Sequence, residues 1–282
     1  MHEAWLSLEG GVRLHLLRWD GDPGAVPFLL VHGLSSNARL WAGVGDQLAG
    51  GGHPVVAVDL RGHGRSAKPE SGYDRATVSD DLAVLIADLP LDRPVVAGQS
   101  WGGNVVLELA ARHPDAVRGV ACVDGGWIEP SRQFPDWDDC VRRLAPPTLD
   151  GTPVATMRDR LRALHPDWPD AALGATMANF ELREDGTVSP WLTRSRHVAI
   201  VRDLWEGHPP AVYPDVHAPV LLMPVDTGAP ALDRVREEVA TAEMLLPVSR
   251  TAWLSGDHDV HAEQPDAVAA LLGGACLDGF FP

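Results

Sequence analysis

Gly98-Gln99-Ser100-Trp101-Gly102 sets a serine between two glycines, after an apolar run (Pro94 to Ala97) that reads as a strand and before one (Asn104 to Arg112) that reads as a helix. A serine at the apex of a sharp strand-to-helix turn is forced into an unfavourable backbone region. The turn closes only if flanking positions lack bulk, which Gly98 and Gly102 supply. Such a turn lifts the hydroxyl clear of the sheet and leaves the N–H of Trp101 at a helix N-terminus, where it faces charge developing on an attacked carbonyl. A glycine-rich turn with an incidental serine has the same local pattern, so the chemistry depends on partners.

A serine hydroxyl is a weak nucleophile at neutral pH without a base in reach, most often an imidazole held by a carboxylate. Twelve histidines compete for that role. The stretch SGDHDVHAEQP (255 to 265) follows the last strand-like run and puts His258 in a loop at a strand's C-terminal end, with His261 a rival closer to the final helix. Active groups collect at that edge of an open parallel sheet, and the Ser100 turn belongs there too. Asp257, His258, Asp259 and His261 do not read as a metal site, because successive side chains cannot converge on one ion and no H-E-x-x-H pair is present.

The elements that must position these groups alternate. VPFLLVHG (26 to 33), PVVAVDLRG (54 to 62), PVVAGQS (94 to 100) and VRGVACVDG (117 to 125) are continuous apolar runs, as parallel strands buried on both faces require. Helical patterns over Ala38 to Ala49, Ala76 to Asp88 and Asn104 to Arg112 separate them, and Glu3 to Leu8 with Val12 to Trp19 reads as an edge hairpin turning at Gly10-Gly11. This rhythm predicts a doubly wound, mostly parallel α/β sheet. From Trp127 to about Asp215 only helical patterns are found, over 137 to 144, 154 to 164, 169 to 180 and 190 to 205. The strand rhythm then resumes with APVLLMPVD (218 to 226), a helix from about Ala231 to Ala242, RTAWLSG (250 to 256) and a helix from Pro265 to Leu272. The expected organisation is a core of residues 1–126 and 216–282 with a helical lid, 127–215, inserted after the sixth strand. Trp127, Trp137, Trp168, Trp191 and Trp205, half of the chain's ten tryptophans, fall in that lid and are candidate substrate-binding residues.

Composition narrows the partners. A chain of 282 residues, 45% hydrophobic, buries a full-sized core, and 39 acidic against 23 basic side chains give a formal net charge of -16, which repels phosphate backbones and anionic lipid. Nucleic acid and membrane partners are not expected. The N-terminal MHEAWLSLEG has neither a basic region nor an apolar signal core, so a soluble, cytoplasmic protein is expected. Three scattered cysteines, Cys122, Cys140 and Cys276, do not make a disulfide framework.

The chain resembles the α/β-hydrolase superfamily along nearly its whole length, through HGLSSNARLW, DLRGHGRS, GQSWGG and GDHDVHAEQP in the family's order, each at a strand's end. The resemblance implies that Ser100 is the nucleophile and His258 the base, with Glu263 and Pro265 standing where such proteins carry an E-x-P after the histidine. It also implies an oxyanion hole from the N–H groups of Leu34 and Trp101, with His32 shaping the turn. The acid stays open between two aspartates. Most relatives place it nine residues beyond the proline that begins the seventh strand, which here is Gly228, with Asp226 two residues earlier. Asp124, 24 residues after Ser100, looks like the arrangement in haloalkane dehalogenases and zearalenone-type lactonases, and the glycine at 228 favours it.

The expected activity is cleavage of a small-molecule carboxylic ester or lactone through an acyl-enzyme, with no metal or organic cofactor. Carbon–carbon bond hydrolysis, cofactor-free perhydrolysis and biosynthetic cyclisation use the same triad and remain alternatives. A non-catalytic small-molecule receptor of the same fold is the rival from another class. Epoxide-hydrolase and dehalogenase chemistry is disfavoured because residue 100 is not a carboxylate.

Overall fold

A computed structural model describes residues 1–8, 10–228 and 232–282. Strands β1 (His2–Ser7) and β2 (Arg13–Trp19) form an antiparallel hairpin, followed by β3 (Phe28–Val31), a 3-10 turn at Ala38–Trp41, α1 (Ala42–Gly50), β4 (Val55–Asp59) and α2 (Arg75–Asp88). Next come β5 (Val95–Gln99), α3 (Trp101–Arg112) and β6 (Gly119–Val123). The insertion holds α4 (Pro130–Gln133), α5 (Trp137–Leu144), β7 (Thr152–Pro153), α6 (Val154–Leu164), α7 (Asp170–Met177), β8 (Phe180–Leu182), β9 (Thr187–Pro190) and α8 (Arg194–Glu206). The chain closes with β10 (Val220–Met223), β11 (Val225–Asp226), α9 (Leu232–Leu245), β12 (Ser249–Thr251), β13 (Leu254–Ser255), α10 (Val260–Glu263) and α11 (Pro265–Leu277).

Eight strands pair in the order β1-β2-β4-β3-β5-β6-β10-β12, parallel from β4 onward and antiparallel at the hairpin edge. Alternation along each strand feeds two cores. Leu29, Val31, Val56, Val58, Val96, Val120, Cys122, Val220 and Leu222 point to the face covered by α2, α3 and α9. Phe28, Leu30, Val55, Ala57, Val95, Ala97, Ala121 and Met223 point to the face covered by α1 and α11. Both faces are dry, which is why these strands carry no polar alternation.

Two expectations are corrected. The insertion is not purely helical: β7, β9 and β8 make a small antiparallel sheet with its own core of Met157, Met177 and Val188. These strands are two to four residues long and, apart from Val188, not buried, so no apolar run marks them. The run 218 to 226 breaks at Pro224, which lacks the N–H a ladder needs, and 250 to 256 breaks opposite it, so β11 and β13 pair as a separate two-stranded sheet. The helix expected from about Ala231 begins at Leu232 among the described residues, Ala231 itself lying outside them. No helix among them is long and apolar enough to cross a membrane.

Candidate active site

β4 lies on one side of β3 while β5 and β6 continue on the other, so the connections leaving β3 and β5 turn in opposite directions. The C-terminal ends of these strands are the usual place for a ligand in such a sheet. Ser100 is the first residue beyond β5 and has φ +54° and ψ −125°, a backbone that side chains other than glycine rarely adopt. Its N–H donates to the carbonyl of Val123 (2.9 Å) and its carbonyl accepts from Gly103 (2.9 Å), so the strained turn is held from both sides. A Cβ on Gly98 would lie 2.2 Å from the carbonyl oxygen of Gly102, and one on Gly102 would lie 2.6 Å from that of His32. Bulk at either position would push the turn off the sheet.

The loop after β3 is shaped by a buried imidazole. His32 Nδ1 donates to the carbonyl of Gly33 (2.7 Å) and Nε2 accepts from the N–H of Leu60 (3.0 Å), which fixes the tautomer. Burial lowers its pKa, so the ring stays neutral and can play both parts. Because a trans peptide points its C=O and N–H in opposite directions, pinning the Gly33 carbonyl aims the N–H of Leu34 away from His32. Gly33 itself sits against the elbow, where an added Cβ would come within 2.9 Å of Ser100 Cβ. Beneath this loop His63 stacks on Trp101 (centroids 5.6 Å apart, 27° between planes) and accepts from the N–H of Ser35 through Nε2. Asp59 serves the scaffold: its carboxylate accepts from the N–H groups of Ala38 (2.7 Å) and Arg65 (2.9 Å) and from His15 Nδ1 (2.8 Å).

Asp124, one residue beyond β6, also has positive φ (+42°). The next residue must be small, since a Cβ on Gly125 would lie 2.1 Å from the Ser100 carbonyl oxygen. Asp124 Oδ2 lies 2.5 Å from His258 Nδ1, and its Oδ1 accepts from the N–H of Val225 (3.2 Å). Asp226 turns elsewhere: its Oδ1 accepts from the N–H of Gly228 (2.9 Å). The backbone of His258 is tied to the elbow strand, where Gln99 Nε2 donates to its carbonyl (3.0 Å). Asp124 therefore pairs with His258, at the edge that also carries the Ser100 elbow, and Asp226 does not pair with the histidine. His261, the rival base, is wholly buried against Trp41 (ring centroids 4.5 Å), and burial lowers its pKa to about 3.

Burial works against the His258 imidazolium, but the hydrogen bond to Asp124 and the charges of Asp124, Asp259 and Asp257 outweigh it and hold its pKa above the ordinary 6.5. The ring accepts a proton from a nucleophile only when neutral. We expect kcat/KM to rise with pH along a single acid limb whose midpoint lies above 6.5, measured under kcat/KM conditions that report the free protein. A midpoint at or below 6.5 would contradict the charge balance described.

The five insertion tryptophans have different surroundings. Trp127 is buried in the main core, and Trp137 and Trp205 form an edge-to-face pair (5.6 Å) beneath the guanidinium of Arg202. Trp191 lies under Lys68 Nζ (4.5 Å). Trp168 is buried and donates from Nε1 to Asp257 Oδ2 (3.1 Å), an anchor that an apolar reading of the residue could not anticipate. Among the described residues no cluster of three or more His, Cys, Asp or Glu side chains is arranged to hold a metal ion.

The family model described as alpha/beta hydrolase fold matches residues 26–184, more than half of the chain and the stretch that contains the Leu34 loop, the Ser100 elbow and Asp124. The chain belongs to the alpha/beta hydrolase family. Among relatives, this alpha/beta hydrolase is 32% identical over 179 residues to epoxide hydrolase A of Mycobacterium tuberculosis, which covers 57% of the chain and only about half, 55%, of that protein. It is 29% identical over 203 residues to 2-(acetamidomethylene)succinate hydrolase of Mesorhizobium japonicum, covering 72% and 71% of the two chains. A crystal structure of E-2-(acetamidomethylene)succinate hydrolase shares the fold with a TM-score of 0.78 at 24% identity, over 97% of this alpha/beta hydrolase and 98% of that chain.

Proposed function

We propose that the chain is a serine hydrolase that cleaves a carboxylic ester or lactone through an acyl-enzyme. The observation that carries the reading is the His258 Nδ1 to Asp124 Oδ2 contact of 2.5 Å at the sheet edge that also holds the Ser100 elbow. With Nδ1–H committed to Asp124, the lone pair of Nε2 is the proton acceptor. Ser100 Oγ attacks the acyl carbon while Nε2 takes its proton, and the electron pair of the carbonyl moves to oxygen, where the N–H groups of Leu34 and Trp101 receive it. Each such donor is worth about 10² to 10³ in rate. Collapse expels the alcohol, protonated by the imidazolium, and water then attacks the acyl carbon with His258 again as base. The insertion acts as a lid over this edge.

The epoxide hydrolase relative raises a different chemistry. Opening an epoxide with a serine would leave an alkyl ether, which water and an imidazole do not cleave, whereas an acyl ester on serine hydrolyses readily. Residue 100 therefore favours acyl transfer. A fluorophosphonate probe with peptide mapping, followed by a panel of p-nitrophenyl esters of graded length and lactones, tests the reading. Label on Ser100 together with turnover of at least one ester or lactone is expected. Folded protein that takes no label and turns over none of the panel would leave the receptor reading in its place.

A further inference from the structure

Asp257 stands next to the proposed base, at the point where the insertion meets the loop that carries it. Its Oδ2 accepts from two side chains of the α6–α7 connection, His165 Nδ1 and Trp168 Nε1, each at 3.1 Å. The two donors are stacked, with ring centroids 3.9 Å apart and 29° between planes, so they reach the carboxylate as one plate. The other end of the same segment is fixed beside the oxyanion loop: Asn37 Nδ2 donates to the carbonyl of Ala175 (2.8 Å) and to Asn179 Oδ1 (2.6 Å). Between these points Trp168, Ala172 and Ala175 pack with Leu40 and Ala262. The segment therefore runs as a strap from the Leu34 loop to the His258 loop.

The His258 loop is held from within by the core. Asp257 N–H donates to Glu263 Oε2 (2.7 Å), Gln264 Nε2 donates to the carbonyl of Ser255 (2.8 Å), and Gln99 Nε2 donates to that of His258. Among the described residues, the Asp257 side chain is hydrogen-bonded to the strap alone. We propose that Asp257 is a positioning residue: by receiving His165 and Trp168 it locks the strap onto the catalytic loop, which fixes the approach of His258 to Ser100. This role rests on the hydrolase reading of Ser100 and His258. A buried indole N–H whose acceptor is removed is left unsatisfied, so the bond is costly to break from the acceptor's side. Changing tryptophan to phenylalanine keeps an aromatic ring, removes the donor and changes no charge.

The test compares wild type, Trp168→Phe, Asp257→Ala and the double variant, each checked for folding by circular dichroism and with active sites counted by fluorophosphonate titration. Two quantities are read: the bimolecular rate of labelling at Ser100, which depends on His258 but on no particular substrate, and amide hydrogen exchange in α7. Trp168→Phe is expected to label about five- to tenfold more slowly, the equivalent of one lost hydrogen bond, and Asp257→Ala at least as slowly, since it loses both donors and a charge beside His258, each with faster exchange in α7. The double variant should be no slower than Asp257→Ala alone, because that change already removes the acceptor whose donor Trp168→Phe takes away. Wild-type labelling rates in folded Trp168→Phe and Asp257→Ala, or losses that multiply in the double variant, would overturn the proposal. Should Asp257→Ala fail to fold, Trp168→Phe decides alone. A wild-type protein that takes no label sinks the hydrolase reading and this one with it, whereas labelled wild type with unaffected variants sinks only the positioning role.

Discussion

Ser100→Ala is expected to lower kcat by about 10⁵- to 10⁶-fold and to abolish labelling by a fluorophosphonate, with an unchanged circular dichroism spectrum. The size follows from the division of labour at the edge. On the proposed mechanism, the base without the hydroxyl has nothing to activate but water, and what remains is the polarisation of a bound carbonyl by the N–H groups proposed as its donors, those of Leu34 and Trp101. The fold should be indifferent, because the elbow is held through the Ser100 backbone, N–H to Val123 and C=O from Gly103, rather than through its side chain. Alanine keeps the strained φ of +54°; glycine relieves it. Ser100→Gly should therefore be as inactive as Ser100→Ala yet more stable by about 1 kcal/mol, read as a higher denaturation midpoint. Residual activity above about one part in a thousand in either variant, or a label found elsewhere, would remove Ser100 from the nucleophile's role.

The second large effect separates two aspartates. In Asp124→Asn the amide can keep the hydrogen bond from Val225 N–H with its oxygen, which turns its NH₂ toward His258 Nδ1. The histidine then answers with the lone pair on Nδ1 and the proton on Nε2, the wrong tautomer for a base. A comparable change in another triad costs about 10⁴ in kcat, and the same is expected here. In Asp226→Asn the amide oxygen can keep the turn contact from Gly228 N–H, and kcat should change by less than about threefold. The ratio of the two kcat values decides. If Asp226→Asn is the more damaging by tenfold, the acid belongs at the end of β11 and the His258–Asp124 contact is not the working one.

How much could be read without coordinates varies with the physics involved. Strands β3 to β6 and β10 announce themselves because both faces are dry, and a four- or five-residue run of Val, Leu and Ala has no other soluble home. The positions of Ser100 and His258 at one edge follow from strand direction alone. Choosing between Asp124 and Asp226 does not, since both end strands at that edge. What distinguishes them is that β6 is the immediate neighbour of β5, which a single chain does not state. The insertion hides its small sheet because strands of two to four residues leave no period to detect, and Trp168 reads as apolar bulk although its indole N–H is what anchors it to Asp257.

The histidines that build the scaffold tie the fold to the proton concentration around it. His32, His63, His197 and His261 are buried, and burial keeps each well or moderately below the ordinary 6.5, His197 at about 4 and His261 at about 3. An unfolded chain binds protons at these rings as soon as pH falls below 6.5, while the folded chain refuses them until much lower. Stability contributed by this refusal is complete above 6.5 and drains away as pH falls toward the folded values. His258, with its raised pKa, pulls the other way, but it is one ring against four. The neutral imidazoles of His32 and His63 that hold the loop after β3 thus also lower the stability of the fold as pH falls below 6.5.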